Sequence, residues 1–451
     1  MLTGRKKEVQ YLQKFFEKNG SQFVVIYGQR GVGKTRLVRE FADESPCFYY
    51  ACREAGEREQ QFQWGRELSD AGIAVEEFPT WQELFEASLQ DIPDKQILVL
   101  DEFQYLMKSS PSFIEELAAF VENQAEKRSV LVIMVSSSTS WVENSMVKKM
   151  GMAAYKISGL LKIKPLGFFE LREAFPNYSS EQAFGLYAVL GGNPGLWKCM
   201  SPTKNLKENV CDTILSPEGA LHDECRRILS EELRELGVYQ TILSALASGH
   251  HKLNDIYAYT GFSRAKISVY LRNLMELELI EKVFSYDTAG REHMQKGVYR
   301  ICNHFVHFTF TYLYPGSSKL AAVAEEDFYE RDIVPTFRRF MSYAFKEACR
   351  EYLMREAARG EFPFRLSSVG EWAGKAGDID IIAQSETGET LLAVCQCERE
   401  VFPYEDYEWM LFLAEKAKLS ADHIWLFTDK EFDARLMAEA RGKENLSLIL
   451  F

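Results

Sequence analysis

Through the first 200 residues, short apolar runs alternate with stretches whose apolar positions recur every three or four residues. The runs at 23–27, 96–100 and 129–135 are rich in Val, Ile and Leu without polar alternation. That is the pattern of strands buried on both faces. With helical periods between them, the region predicts an α/β architecture around a parallel sheet. Asp91, Pro93 and Asp94 mark a loop before the second run, and the Gly191, Gly192, Asn193, Pro194, Gly195 stretch is a sharp break near the region's end.

Beyond residue 205 the texture becomes charged and helical, and it changes again at Gly237. Apolar spacing predicts a helix over 238–247, a short second helix from Leu253 closed by Gly261, and a third capped by Ser263. Runs at 279–284 and 297–301 then read as a two-stranded wing around a polar turn. A helix over 338–358 opens the last region. Strands at 377–383 and 391–398, a helix at 409–417 and a strand at 423–428 follow. The organisation read from this pattern is a core over 1–200, a helical linker over 201–236, a winged helix over 237–300, a linker helix over 301–335 and a C-terminal α/β domain over 336–451.

The first run leads into chemistry. Gly28, Gly31 and Gly33 precede Lys34 and Thr35 at the spacing G-x-x-x-x-G-K-T, between a strand and a helix. Backbone N–H groups of Gly28, Gln29, Arg30, Gly31, Val32 and Gly33 can turn inward around phosphate, and the helix start at Lys34, Thr35 and Arg36 adds its positive dipole end. Lys34 is expected to reach the β/γ-phosphates and the Thr35 hydroxyl to ligate Mg²⁺. The second run ends in Asp101 and Glu102. Asp101 is placed to hold Mg²⁺ through water, and Glu102 to act as general base for an attacking water. The third run ends in hydroxyls, and Ser136 or Ser137 is a candidate γ-phosphate sensor. The pattern favours hydrolysis over simple nucleotide holding.

Composition narrows the partners. A net charge of −13 argues against a chain that coats nucleic acid indiscriminately. Nine scattered cysteines without a C-x-x-C pair fit reduced thiols. No run approaches the roughly 18 apolar residues of a membrane span, and the N-terminus does not read as a signal peptide. Together these point to the cytoplasm.

Leu2, Thr3, Gly4 and Arg5, the loop at 28–35, the run ending Asp101-Glu102-Phe103-Gln104, the 191–195 break and the winged helix together resemble the archaeal-type ATPases. That family is a prokaryotic branch of the AAA+/STAND P-loop class. Its linker after the wing is similar to the stretch from Tyr299 to Phe308. The resemblance implies that Gly4 and Arg5 flank an adenine and that Pro194 packs near the base. It also implies an arginine before the last core strand, where residues 146–157 carry only lysines, so slow turnover is expected. The C-terminal order resembles a restriction-endonuclease-like domain. Its metal-binding aspartate falls at Asp380, with Asp378 beside it, and its helix glutamate near Lys346 and Glu347. Its E-x-K reads Cys395-Gln396-Cys397 instead. Thiolates suit Mg²⁺ poorly, so this domain is expected to have lost its chemistry.

Arg264, Lys266 and Arg272 give the third helix of the winged motif a thin basic face, offset by Glu276, Glu278 and Glu281. Only weak DNA contact is expected there. His250 and His251 read as solvated turn residues, and the aromatic run at 305–314 as a buried helix face. The expected cofactors are ATP or ADP with Mg²⁺. The expected function is a slow ATPase switch with a possible protein partner. The alternatives are a DNA-binding regulator in which nucleotide is structural, and an ATP-gated nuclease.

Overall fold

The computed structural model describes residues 4–89, 95–124, 129–286, 297–374 and 376–451. Leu2 and Thr3, the loop expected at 91–94 and the wing turn at 287–296 lie outside them. The chain forms two compact units, Met1–Leu166 with Asn193–Gly195, and Gly167–Gly192 with Leu196–Phe451.

In the first unit, strands β1 (Gln22–Tyr27), β2 (Cys47–Ala51), β3 (Gln96–Asp101), β4 (Val130–Ser136) and β5 (Ile157–Lys162) form one sheet in the order β2-β3-β4-β1-β5. Every pairing is parallel. The three apolar runs of the sequence are its three central strands, buried almost throughout. Side chains alternate across the pleat. Val24, Ile26, Ile97, Val99, Leu131 and Ile133 pack on one face with Leu37 and Val38. Val25, Leu98, Leu100, Val132 and Met134 pack on the other with Trp64, Trp81, Phe85 and Phe113. Trp64 is fully buried and donates its indole N–H to Ser88 Oγ at 2.8 Å, so its one polar atom is satisfied. Two strands the hydrophobic pattern did not announce, β2 and β5, lie at the sheet's edges, where only part of each strand is covered.

The second unit contains the winged helix: helices Leu236–Ala247, Leu253–Thr260 and Arg264–Glu276, then strands β6 (Ile280–Val283) and β7 (Val298–Ile301), paired antiparallel with Ile280 opposite Ile301. Ser263 Oγ accepts from Lys266 N at 3.3 Å, the expected cap. The 305–314 aromatic run is helical, and Phe305, Phe308, Phe310 and Tyr312 are buried.

The helix Val334–Arg359 then leads into a mixed sheet of β8 (Leu366–Ala373), β9 (Asp378–Ser385), β10 (Thr390–Gln396), β12 (His423–Thr428) and β14 (Leu446–Leu450). A two-stranded ribbon, β11 (Val401–Phe402) and β13 (Glu431–Phe432), sits between in sequence. The order is β14-β12-β10-β9-β8, with β8, β9 and β10 antiparallel and β10, β12 and β14 parallel. The strand pair expected at 377–383 and 391–398 is β9 and β10.

One ion pair, between a buried histidine and a part-exposed glutamate, ties this unit's helices together. His304 places Nδ1 2.6 Å from the Tyr187 carbonyl and Nε2 2.6 Å from Glu347 Oε2. Both neighbours accept, so both ring nitrogens carry protons and the imidazole is a cation. Burial opposes that charge, but Glu347 raises the His304 pKa overall. Burial likewise opposes ionised Glu347, yet His304, Tyr343 and Arg300 hold its pKa below the usual carboxylate value. Neighbouring His307 is driven down to about 4 by burial, with His304 and His251 adding repulsion.

The sign for His304 follows from linkage. A raised folded pKa contributes stability that is fully present below the ordinary value of 6.5 and is lost as pH rises through the folded value. The thermal midpoint of wild type should therefore exceed that of His304→Gln most below pH 6.5, and the gap should shrink as pH climbs. A gap independent of pH would contradict the charged-pair assignment.

Candidate nucleotide site

Three loops converge at the carboxyl ends of β1, β3 and β4, the end of a parallel sheet where ligands bind. The first carries the glycine pattern. At Gly28 (φ 151°) a Cβ would stand 2.3 Å from the Ile163 carbonyl oxygen, so any side chain would displace the backbone. Gly33 (φ 100°) adopts the left-handed conformation at the cap of the helix Lys34–Ala42, where other residues are strained.

Lys34 is only 6% exposed, and its Nζ donates to the carbonyls of Gly28 at 2.8 Å and Gln29 at 2.9 Å. The lysine thus bridges the mouth of its own loop. Burial lowers its pKa, opposed by Glu102 and Asp101. Thr35 Oγ1 donates to Asp101 Oδ2 at 2.9 Å, and the Tyr49 hydroxyl donates to the same oxygen. Glu102 lies in the left-handed region at φ 55°, a strain of order 1–3 kcal/mol for a residue with a side chain. Its Oε2 accepts from Gln104 Nε2 at 2.6 Å, Ser137 Oγ at 2.7 Å and Ser137 N at 3.0 Å. Ser137, not Ser136, therefore meets Glu102. Ser136 is buried, and its hydroxyl accepts from Ser138 N.

Arg5 is 4% exposed, and its guanidinium donates to the carbonyls of Val32 at 2.8 Å and Lys164 at 2.7 Å. It braces the phosphate loop against the segment after β5. The 191–195 break also reaches the loop: Asn193 Nδ2 donates to the Arg30 carbonyl at 3.0 Å and Gly195 N to the Gly31 carbonyl at 2.9 Å, with Pro194 between them. Arg36 is exposed on the following helix. Sequence reasoning missed Tyr49, Gln104 and Asn193. Gln104 stood two positions past Glu102, and Asn193 inside a break where only Pro194 was given a role. Tyr49 carried no local signal, because pairing of β2 with β3 brings it there.

The second cluster lies in the C-terminal sheet. Asp380 Oδ2 accepts from Cys395 N at 2.8 Å, while Oδ1 pairs with Lys346 Nζ at 2.7 Å. Burial opposes the charge on Lys346, but Asp380 raises its pKa overall. Glu347, read with Lys346 as the helix acid, instead faces His304. Cys397 Sγ lies 3.9 Å from the Arg338 carbonyl and the Ser342 hydroxyl, and the free thiols of Cys395 and Cys349 share a hydrogen bond. Among the described residues no group of three His, Cys, Asp or Glu could hold a metal.

Residues 2–198 match a family described as an ATPase domain predominantly from Archaea. Residues 241–282 match bacterial regulatory proteins of the arsR family, and 309–399 match archaeal and bacterial proteins of unknown function. An uncharacterized protein of Methanocaldococcus jannaschii is 28% identical over 395 residues, 87% of each chain. A Walker-type ATPase of Pyrococcus abyssi is similar in structure, with a TM-score of 0.48 and 18% identity over 68% of this chain and 96% of that one. An ORC2 protein of Aeropyrum pernix, in ADPNP–ADP complexes, gives 0.48 and 15% over 71% and 96%. No helix among the described residues is long and apolar enough to cross a membrane.

Lys34→Ala should abolish ATP binding or weaken it severely, because the phosphates lose their fixed cation. Asp101→Ala should instead weaken only the metal-dependent part of binding. Calorimetry with and without Mg²⁺ separates the two. Wild-type affinity in Lys34→Ala would contradict the phosphate-loop assignment.

Proposed function

Given an N-terminal domain that belongs to the archaeal ATPase family, we propose that this chain is an ATP-binding, Mg²⁺-dependent switch that hydrolyses ATP slowly. The observation that carries the reading is the 2.9 Å bond between Thr35 and Asp101, with Glu102 on the next residue. A hydroxyl and a carboxylate are hard oxygen donors and suit Mg²⁺, and Thr35 and Asp101 are the residues that would hold it. Held there, the ion would supply positive charge to offset that of the phosphates.

The protein's own groups supply the remainder. Lys34 exchanges two loop carbonyls for phosphate oxygens, and the backbone N–H groups of the loop cradle the chain. Glu102 takes a proton from the attacking water through Oε1, since all three of its hydrogen-bond donors occupy Oε2. Gln104 Oε1 is buried with no hydrogen-bond partner among the described residues, and it offers that water a second acceptor. Slow turnover is supported by the lysines that stand where a phosphate-contacting arginine is expected. Lys148 and Lys149 are exposed, and Lys156 is engaged with Glu122.

In this reading nucleotide state controls the winged helix and the C-terminal domain, and the latter is a nuclease-like fold without nuclease chemistry. Lys346 supports that loss, because a side-chain cation neutralises Asp380 where a metal would be held.

Glu102→Gln should leave ATP and Mg²⁺ binding intact while turnover falls roughly 10²-fold or more, the scale of losing a general base. Normal turnover in that variant would remove Glu102 from the mechanism. Supercoiled plasmid and single strands should survive incubation with Mg²⁺ or Mn²⁺, with or without ATP. Nicking that disappears in Asp380→Ala would show a working nuclease.

A further inference from the structure

The chain is acidic overall, yet a cavity of about 1710 Å³ is lined by six cations. Lys252 and Arg264 come from the helix-turn-helix, Lys282 and Arg300 from the wing, and Arg339 and Lys346 from the helix Val334–Arg359. The acids in its wall are Glu371 and Asp378. Arg300 is paired with Glu371 and Glu281, and Lys346 with Asp380, so the positive lining rests on Lys252, Arg264, Lys282 and Arg339 against Asp378, whose pKa burial raises. Small-molecule sites occupy roughly 300–1,000 Å³, so this space suits a polymer.

Aromatic rings are interleaved with the charges. Tyr299, Tyr343 and Trp372 line the same wall, each half-buried, with Lys282 5.3 Å from the Tyr299 ring centroid and Arg300 5.0 Å from that of Tyr343. The cleft shares Arg339, Tyr343 and Lys346 with a smaller cavity of about 660 Å³ that exposes Asp380 and Arg399. A continuous track therefore runs from the helix-turn-helix to the Asp380 centre.

We propose that this cleft binds a single-stranded polynucleotide. Cations along a groove track phosphates, and aromatic rings beside them stack bases that a duplex would keep hidden. The proposal does not rest on ATP hydrolysis, since none of its residues belongs to the phosphate loop.

The test is fluorescence anisotropy with labelled 20-nucleotide oligo(dT) and oligo(rU), beside a random duplex, across a salt series. Without nucleotide, wild type and Lys34→Ala should bind single strands alike and more tightly than duplex, which keeps this result separable from the nucleotide reading. Lys252→Glu with Arg339→Glu, both on exposed residues, should weaken binding at least tenfold and flatten the salt slope. Tyr299→Ala should cost roughly tenfold without changing that slope. Preference between the two oligonucleotides tells DNA from RNA as the source of the strand. No binding at low salt, tighter binding of duplex, or affinity untouched by the Lys252 and Arg339 reversals would overturn the proposal.

Discussion

The bond from the Thr35 hydroxyl to the Asp101 carboxylate is the point on which the nucleotide site depends. It joins the start of the helix after β1 to the end of β3, across β4, which separates those strands in the sheet. A parallel sheet with both faces buried fixes its strand ends to within the tolerance of core packing, so the two oxygens cannot drift apart without disturbing two apolar layers. The same rigidity lets Glu102 stay in a strained conformation. Ser137 and Gln104 hold its carboxylate, and Asp101 Oδ1 accepts from its backbone N–H at 3.1 Å.

The second unit solves a different problem, that of keeping charge inside. Buried His304 has both ring nitrogens satisfied, one of them by the part-exposed Glu347, and Arg300 lies between Glu281 and Glu371. Removing Glu347 strands the buried His304 cation in low dielectric, a penalty larger than the pair's net worth. The pairs therefore specify how the helices and the wing pack more than they stabilise them. Lys346 and Asp380 follow the same rule, a cation and a carboxylate paired at 2.7 Å.

Much of this was legible in the sequence, for reasons that differ by element. β1, β3 and β4 were readable because burial on both faces removes polar alternation, and the loop at 28–35 because glycine spacing encodes backbone conformation directly. β2, β5 and β8 were not, since edge strands are partly exposed and their patterns blur. That Ser137 rather than Ser136 meets Glu102 depends on how the chain leaves β4, which single-residue spacing does not resolve. Arg5 bonds carbonyls of the phosphate loop and of the segment after β5, contacts between distant parts of the chain that local spacing does not encode. Lys346 was invisible as a partner of Asp380, because their meeting depends on how the helix Val334–Arg359 lies on the sheet.

The central claim is that bound nucleotide is communicated to the rest of the chain. Hydrogen exchange tests it most directly, in the Glu102→Gln protein held with ATP and Mg²⁺, with ADP, or without nucleotide. The account predicts that amides of the winged helix and of the C-terminal sheet exchange at different rates in the ATP and ADP states. Changes confined to the loops around Lys34, Asp101 and Ser137, with the second unit unaltered, would contradict it.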